Sequence, residues 1–149
     1  MDNTNSLPFV YVVASSIAAS STSSTTLIMQ ADSRFELMGI LGTGGQAATT
    51  EDGQVAPNNF TLQIRDQTTG RDLMSAPVPQ RVLCGNAFRQ FLEKRGIVFE
   101  PQSNLLFTFT NLQALTCNIT LALHGYKIIL EINPLTSGGI RLQRSVSFP

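Results

Sequence analysis

Apolar and polar residues alternate along most of residues 105–127, LLFTFTNLQALTCNITLALHGYK. Leu105, Phe107 and Phe109 share one parity, with Thr108 and Thr110 on the other. Cys117, Ile119, Leu121 and Leu123 then repeat the pattern opposite Asn118 and Thr120. Successive side chains of a strand point to opposite faces, so each run predicts a strand with one buried face. A polar bend separates the two runs. Together they predict a hairpin in the core of a β-sandwich, its second strand ending at His124 and Gly125.

The same reading extends along the chain. In residues 60–66, Phe60, Leu62 and Ile64 alternate with Thr61, Gln63 and Arg65. The DQTTGRDL stretch that follows, 66–73, predicts a hairpin connection: Asp66 can bond its own backbone, and Gly70 tolerates positive φ. Phe9 to Val13 suit a strand or an extended arm. Residues 26–42 predict two strands around Asp32 and Ser33, and residues 126–132 one more. The low-complexity segment 15–26 and the Gly-rich polar segment 43–59 predict loops. Two prolines confine any strand in 74–80 to a sheet edge. One short helix is predicted at 85–96, GNAFRQFLEKRG, where Phe88, Phe91 and Leu92 fall at helical spacing and Gly96 can stop it. The expected fold is all-β: an antiparallel β-sandwich, jelly-roll-like, with one short helix and extended termini. The expected division is an N-terminal arm at 1–20, the sandwich at 21–132 and a C-terminal tail at 133–149.

Composition narrows the function. Only 13% of the 149 residues are charged, against about 25% in an average globular chain. Ten acidic and ten basic residues cancel, so no basic excess exists to neutralise phosphates and nucleic acid is not an expected partner. Ser, Thr, Asn and Gln take the place of charge, which suits a protein covered by neighbours. No Lys or Arg precedes Arg34, so the apolar stretch near the N-terminus lacks the basic flank of a secretory signal. No apolar run reaches the ~18 residues of a membrane span. The expectation is a protein made in the cytoplasm, with no membrane partner.

Candidate chemistry is sparse. His124 is the sole histidine and no GxSxG elbow is present, so His124 reads as a surface or turn residue rather than a base. Cys117 has core parity, whereas Cys84 lies in a turn-like stretch; a chain of this size demands no disulfide between them. Glu51 and Asp52 adjoin in the long loop without calcium-loop spacing. The GTGG at 42–45 lacks the lysine of a phosphate loop and reads as a flexible turn. Asn59 and Asn118 stand in glycosylation patterns but read as ordinary strand residues. Arg89 and the EKRG at 93–96, with Lys94 and Arg95, form the densest charged spot, read as a solvated helix end that could meet a partner subunit. No catalytic residue, cofactor or metal site is expected.

With these pieces in order, the chain resembles the auxiliary capsid proteins of tailed bacteriophages, called decoration or cement proteins. The likeness runs from ADSRFELMGI (31–40) through FTLQIRDQTTGRDLMSAPVP (60–79) and VLCGNAFRQFLEKRGIVFEPQSNLLFTFTN (82–111) to NITLALHGYK (118–127). The resemblance implies a jelly-roll-like homo-oligomer on the outer capsid surface of the virion. It would bridge major capsid subunits without catalysis. Contacts are expected from the N-terminal arm, the loop 43–59 and the C-terminal tail, with Phe9, Tyr11, Glu51, Asp52, Arg89, Lys94, Arg95, Arg144 and Phe148 as candidates. Two alternatives stand beside it: another virion component of neck, tail or fibre, and a lectin-like sandwich or enzyme. The absence of Trp, and the placing of Tyr11 and Tyr126 in predicted strands, counts against sugar binding.

Overall fold

The structure is a computed structural model and describes residues 5–45, 58–84 and 92–129. In chain order its elements are β1 (Ser6–Ile17), β2 (Thr22–Ile28), β3 (Ser33–Gly45), β4 (Phe60–Asp66), β5 (Arg71–Asp72), β6 (Val78–Pro79), α1 (Gln80–Cys84), β7 (Leu92–Phe99), β8 (Asn104–Asn111) and β9 (Cys117–Ile129). They form two antiparallel sheets packed on one another. Sheet A has the order β1-β9-β3-β7; sheet B has β2-β8-β4-β5, with β6 also on β4. The all-β sandwich expected from the alternation is what forms.

The core is the layer between the sheets. From sheet B it takes Phe60, Leu62, Ile64, Leu105, Phe107 and Phe109, and from sheet A Phe35, Phe99, Cys117, Ile119, Leu121 and Leu123. Burying each large side chain contributes roughly 1.5–3 kcal/mol. The Phe60 and Phe109 rings meet edge to face at 5.9 Å. The β4–β5 hairpin is as expected. Gly70 has φ +71°, and the Asp66 carboxylate accepts from the Thr68 and Thr69 amides at 3.0 and 3.3 Å.

Several expectations are corrected. The strands of residues 105–127 are not a hairpin: β8 belongs to sheet B and β9 to sheet A. Alternation fixes which side chains are buried, not which strand is the neighbour. Here Asn111 turns the chain across the gap, its amide donating to the carbonyls of Ile17, Ala18 and Leu115. Nor does the second strand end at His124; β9 continues through Gly125 to Ile129. Of the helix expected at 85–96, residues 85–91 lie outside the described residues; from Leu92 the chain is strand, and Leu92–Phe99 is β7, whose Ile97, Val98 and Phe99 pair with Leu37, Glu36 and Phe35 of β3. Among the described residues the short helix is α1, directly after Pro79, whose fixed φ suits a helix start.

Residues 15–26 are mostly strand. β2 alternates hydroxyls rather than apolar residues, and Thr22 and Ser24 bond Thr110 and Thr108 of β8 at 2.9 and 3.1 Å. The GTGG stretch is the end of β3, not a turn. A Cβ at Gly42 would lie 2.6 Å from Leu121 Cδ2, and one at Gly44 2.6 Å from the Phe60 ring. These glycines allow close approach in the core. Finally, most of the expected N-terminal arm is β1, paired with β9 from Ser6↔Ile128 to Ile17↔Cys117.

Candidate functional site

Residues of β1 and β9 alternate between the core and the outer face of sheet A. On the outer side Pro8 pairs with Tyr126, Val10 with His124 and Val12 with Ala122. From β3, Glu36 and Gly39 stand beside Tyr126 and His124, with an irregularity at Met38. Val98 of β7 follows beside Glu36. The result is an exposed apolar surface: Val12 is 61% exposed, Val98 46%, Val10 and Tyr126 42% each. A shallow depression of about 600 Å³ opens on it, lined by Phe9, Val10, Met38, His124 and Tyr126. The register partners of His124, Val10 and Gly39, offer no side-chain acceptor to orient the imidazole as a base. The exposed side chains here are mostly apolar, with Glu36 and His124 half-buried among them.

One end of the sandwich is closed by Lys127. Its β9 position points inward, and it is only 8% exposed. The ammonium lies 4.3 Å from the centroid of the Phe9 ring. It donates to the Gln30 side-chain oxygen and, at 3.3 Å, to the Asp32 carboxylate. These contacts tie β9 to the β2–β3 connection. The Asp32 carboxyl is held below its ordinary value, first by the hydrogen bond from Ser33 and then by Lys127. Tyr11 completes the end: its hydroxyl accepts from the Gln30 amide at 3.0 Å, and its ring packs edge to face on Phe9 and Phe35.

The expected contact residues therefore separate. Tyr11 is buried in the core, so its ring does not stand free for a partner, whereas Phe9 is half-buried against Lys127 and lines the depression. Lys94 and Arg95 lie on β7 rather than at a helix end. Glu51, Asp52, Arg89, Arg144 and Phe148 lie outside the described residues, as do the central part of the 43–59 loop and the tail at 133–149. The exposed row of Val10, Val12, Val98 and Tyr126 was not anticipated. Its signal is the unbroken run FVYVV at 9–13: a strand apolar on both parities has an apolar side to spare wherever only one face meets the core.

Elsewhere, Cys84 and Cys117 are buried thiols, and burial pushes the Cys84 thiol up to about 12. An apolar cavity of about 230 Å³ lies between the sheets near α1, lined by Leu37, Ile40, Ile64, Met74 and Val82 among others. Among the described residues no group of His, Cys, Asp and Glu could hold a metal, and no helix is long and apolar enough to cross a membrane. No family model matches the chain, and no curated protein matches it either.

Proposed function

We propose that this protein is an accessory structural component of a tailed-bacteriophage virion, seated on the outside of the capsid and bridging neighbouring major capsid subunits. The observation that carries the reading is the outer face of sheet A, where Val10, Val12 and Tyr126 are exposed on the paired strands β1 and β9, and Val98 is exposed on β7 beyond Glu36 of β3. Apolar surface held on a rigid sheet suits contact with another protein. The near absence of charge in the first strands leaves little hydration to be stripped on docking. Each contact can be weak, because repetition over a shell supplies avidity. The strand orders β1-β9-β3-β7 and β2-β8-β4-β5, with successive long strands alternating between sheets, favour a jelly roll for the fold. This agrees with the resemblance of the sequence to decoration proteins.

The test is copy number. In purified particles, quantitative mass spectrometry is expected to give this chain in a simple ratio to the most abundant shell protein. A few copies per particle would move it to the neck, tail or fibres, and absence from particles would overturn the structural reading. Tyr126→Lys is expected to lower capsid occupancy while leaving the fold intact.

A further inference from the structure

We infer that the side wall of the sandwich formed by β1 and β2 is a self-association interface, through which two copies pair edge to edge about a two-fold axis. β1 is the outermost strand of sheet A and β2 of sheet B among the described residues. The two strands touch, and the short turn 18–21 joins them, so both edges lie on one side of the molecule. That side is uncharged: no Asp, Glu, Lys or Arg occurs from residue 3 to residue 31. The opposite edges carry Arg71 and Asp72 on β5 and Glu93, Lys94 and Arg95 on β7.

The asymmetry is informative because an open strand edge exposes a row of unpaired N–H and C=O groups. Proteins that keep such an edge to themselves guard it with charge, proline or a bulge. The β5 and β7 edges have charges, and the pairing of β7 with β3 has a register shift. β1 has a single proline, Pro8, near one end, and its pairing with β9 runs without a shift over all twelve residues.

The fitting occupant is a second copy of the same wall. Zero charge opposite zero charge leaves nothing to repel, and an antiparallel edge is its own complement under a two-fold. With the axis normal to the sheets near Val12, β1 meets β1 and β2 meets β2, so both sheets continue across the dimer. The size is sufficient. The twelve residues of β1 span about 40 Å at about 3.3 Å each. Two sheets about 10 Å apart, with their outer side chains, make a wall roughly 20 Å thick. The seven residues of β2 cover only about 23 Å of that length, so the wall offers roughly 600 Å² per partner, at the lower end for a specific interface. The wall uses the free backbone edge of β1 whereas the face proposed for the capsid uses its outward side chains, so the two surfaces share that strand; the pairing holds or fails in free solution whatever the particle count.

Sedimentation of the full chain tests it. The wild type is expected to be a dimer. Val12→Lys combined with Thr26→Lys is expected to weaken dimerisation at least about 100-fold, with unchanged circular dichroism and melting temperature. Gln67→Lys, on the β4–β5 turn, is expected to leave it unaltered. A second measurement does not depend on the charged variant folding. Of Val10→Cys, Val12→Cys and Ala14→Cys, at least one is expected to crosslink under mild oxidation, because paired antiparallel strands bring opposed Cα atoms to about 4.5–5.5 Å. A monomeric or trimeric wild type would overturn the proposal. So would a dimer that survives both lysines, or three cysteine variants that fail to crosslink.

Discussion

The side-chain amide of Asn111 donates to the main-chain carbonyl oxygen of Ile17 at 3.1 Å, joining residues 94 positions apart. It also serves Ala18 at 3.0 Å and Leu115 at 2.8 Å, while its own oxygen accepts from the Gln113 amide at 2.8 Å. One buried side chain thus holds the end of β1 and the crossover from sheet B to sheet A. Asn111→Ala strands carbonyls that water reaches poorly. It is expected to cost about 2–4 kcal/mol, read as a lower urea midpoint at unchanged slope.

Two glycines are expected to respond unequally to the same substitution. A Cβ at Gly125 would overlap the Glu36 carbonyl oxygen of the neighbouring strand and lie 2.8 Å from Phe35 Cζ. Main chain in mid-sheet cannot withdraw, so Gly125→Ala is expected to cost about 3 kcal/mol or more. At Gly70 nothing lies within 4 Å, and only the φ of +71° opposes a side chain; Gly70→Ala is expected to cost about 1 kcal/mol. Thermal melts of the two variants separate the cases.

Acid stability carries a signature of Asp32. Its folded carboxyl is held below its ordinary value by Ser33 and then Lys127. Its contribution is therefore present above the unfolded value of about 4 and is lost as pH falls through the lower folded value. Asp32→Asn is expected to flatten that part of the profile, measured as urea midpoints from about pH 6 downward. Lys127→Met keeps an apolar stem in the same place and leaves only two exposed acceptors behind, the Asp32 carboxylate and the Gln30 side-chain oxygen. It is expected to change stability at neutral pH by less than about 1 kcal/mol.

Thiol chemistry reports on the core. Cys84 and Cys117 are both buried, and Cys84 is pushed up to about 12, so it stays a neutral thiol near neutral pH. A colorimetric disulfide reagent is expected to titrate neither in the folded protein and both in denaturant. Rapid reaction of the native chain would contradict the packing of α1 on β3.

The sequence displayed its strands wherever burial was one-sided. β4, β8 and the first half of β9 carry apolar residues on one parity, and those residues are the core. Partnership was not visible: the alternation of Phe107 and Leu121 is the same whether their strands are neighbours or face each other across the sandwich. The start of β2 is not legible, because Thr22 to Thr26 all bear hydroxyls and leave no apolar period to detect, while its end falls in the strand expected from residue 26. The helical spacing of Phe88, Phe91 and Leu92 misleads from Leu92 on, where the deciding interaction is the pairing of β7 with distant Phe35 and Leu37. The exposed face of sheet A was latent in FVYVV. Only the register of β1 on β9 shows that Val10 and Val12 look outward while Tyr11 and Val13 look in.

The central place of β9 has a consequence for the newborn chain. β9 lies between β1 and β3 in sheet A, and Ser6 finds its partner in Ile128. Everything from β1 to β8 leaves the ribosome before β9 exists, so sheet A has no template while its apolar first strand waits in the open. Pairing at such sequence separation closes late and slowly. Assembly of this sheet therefore follows synthesis, and until then the chain depends on dilution or a chaperone to keep that strand from pairing elsewhere.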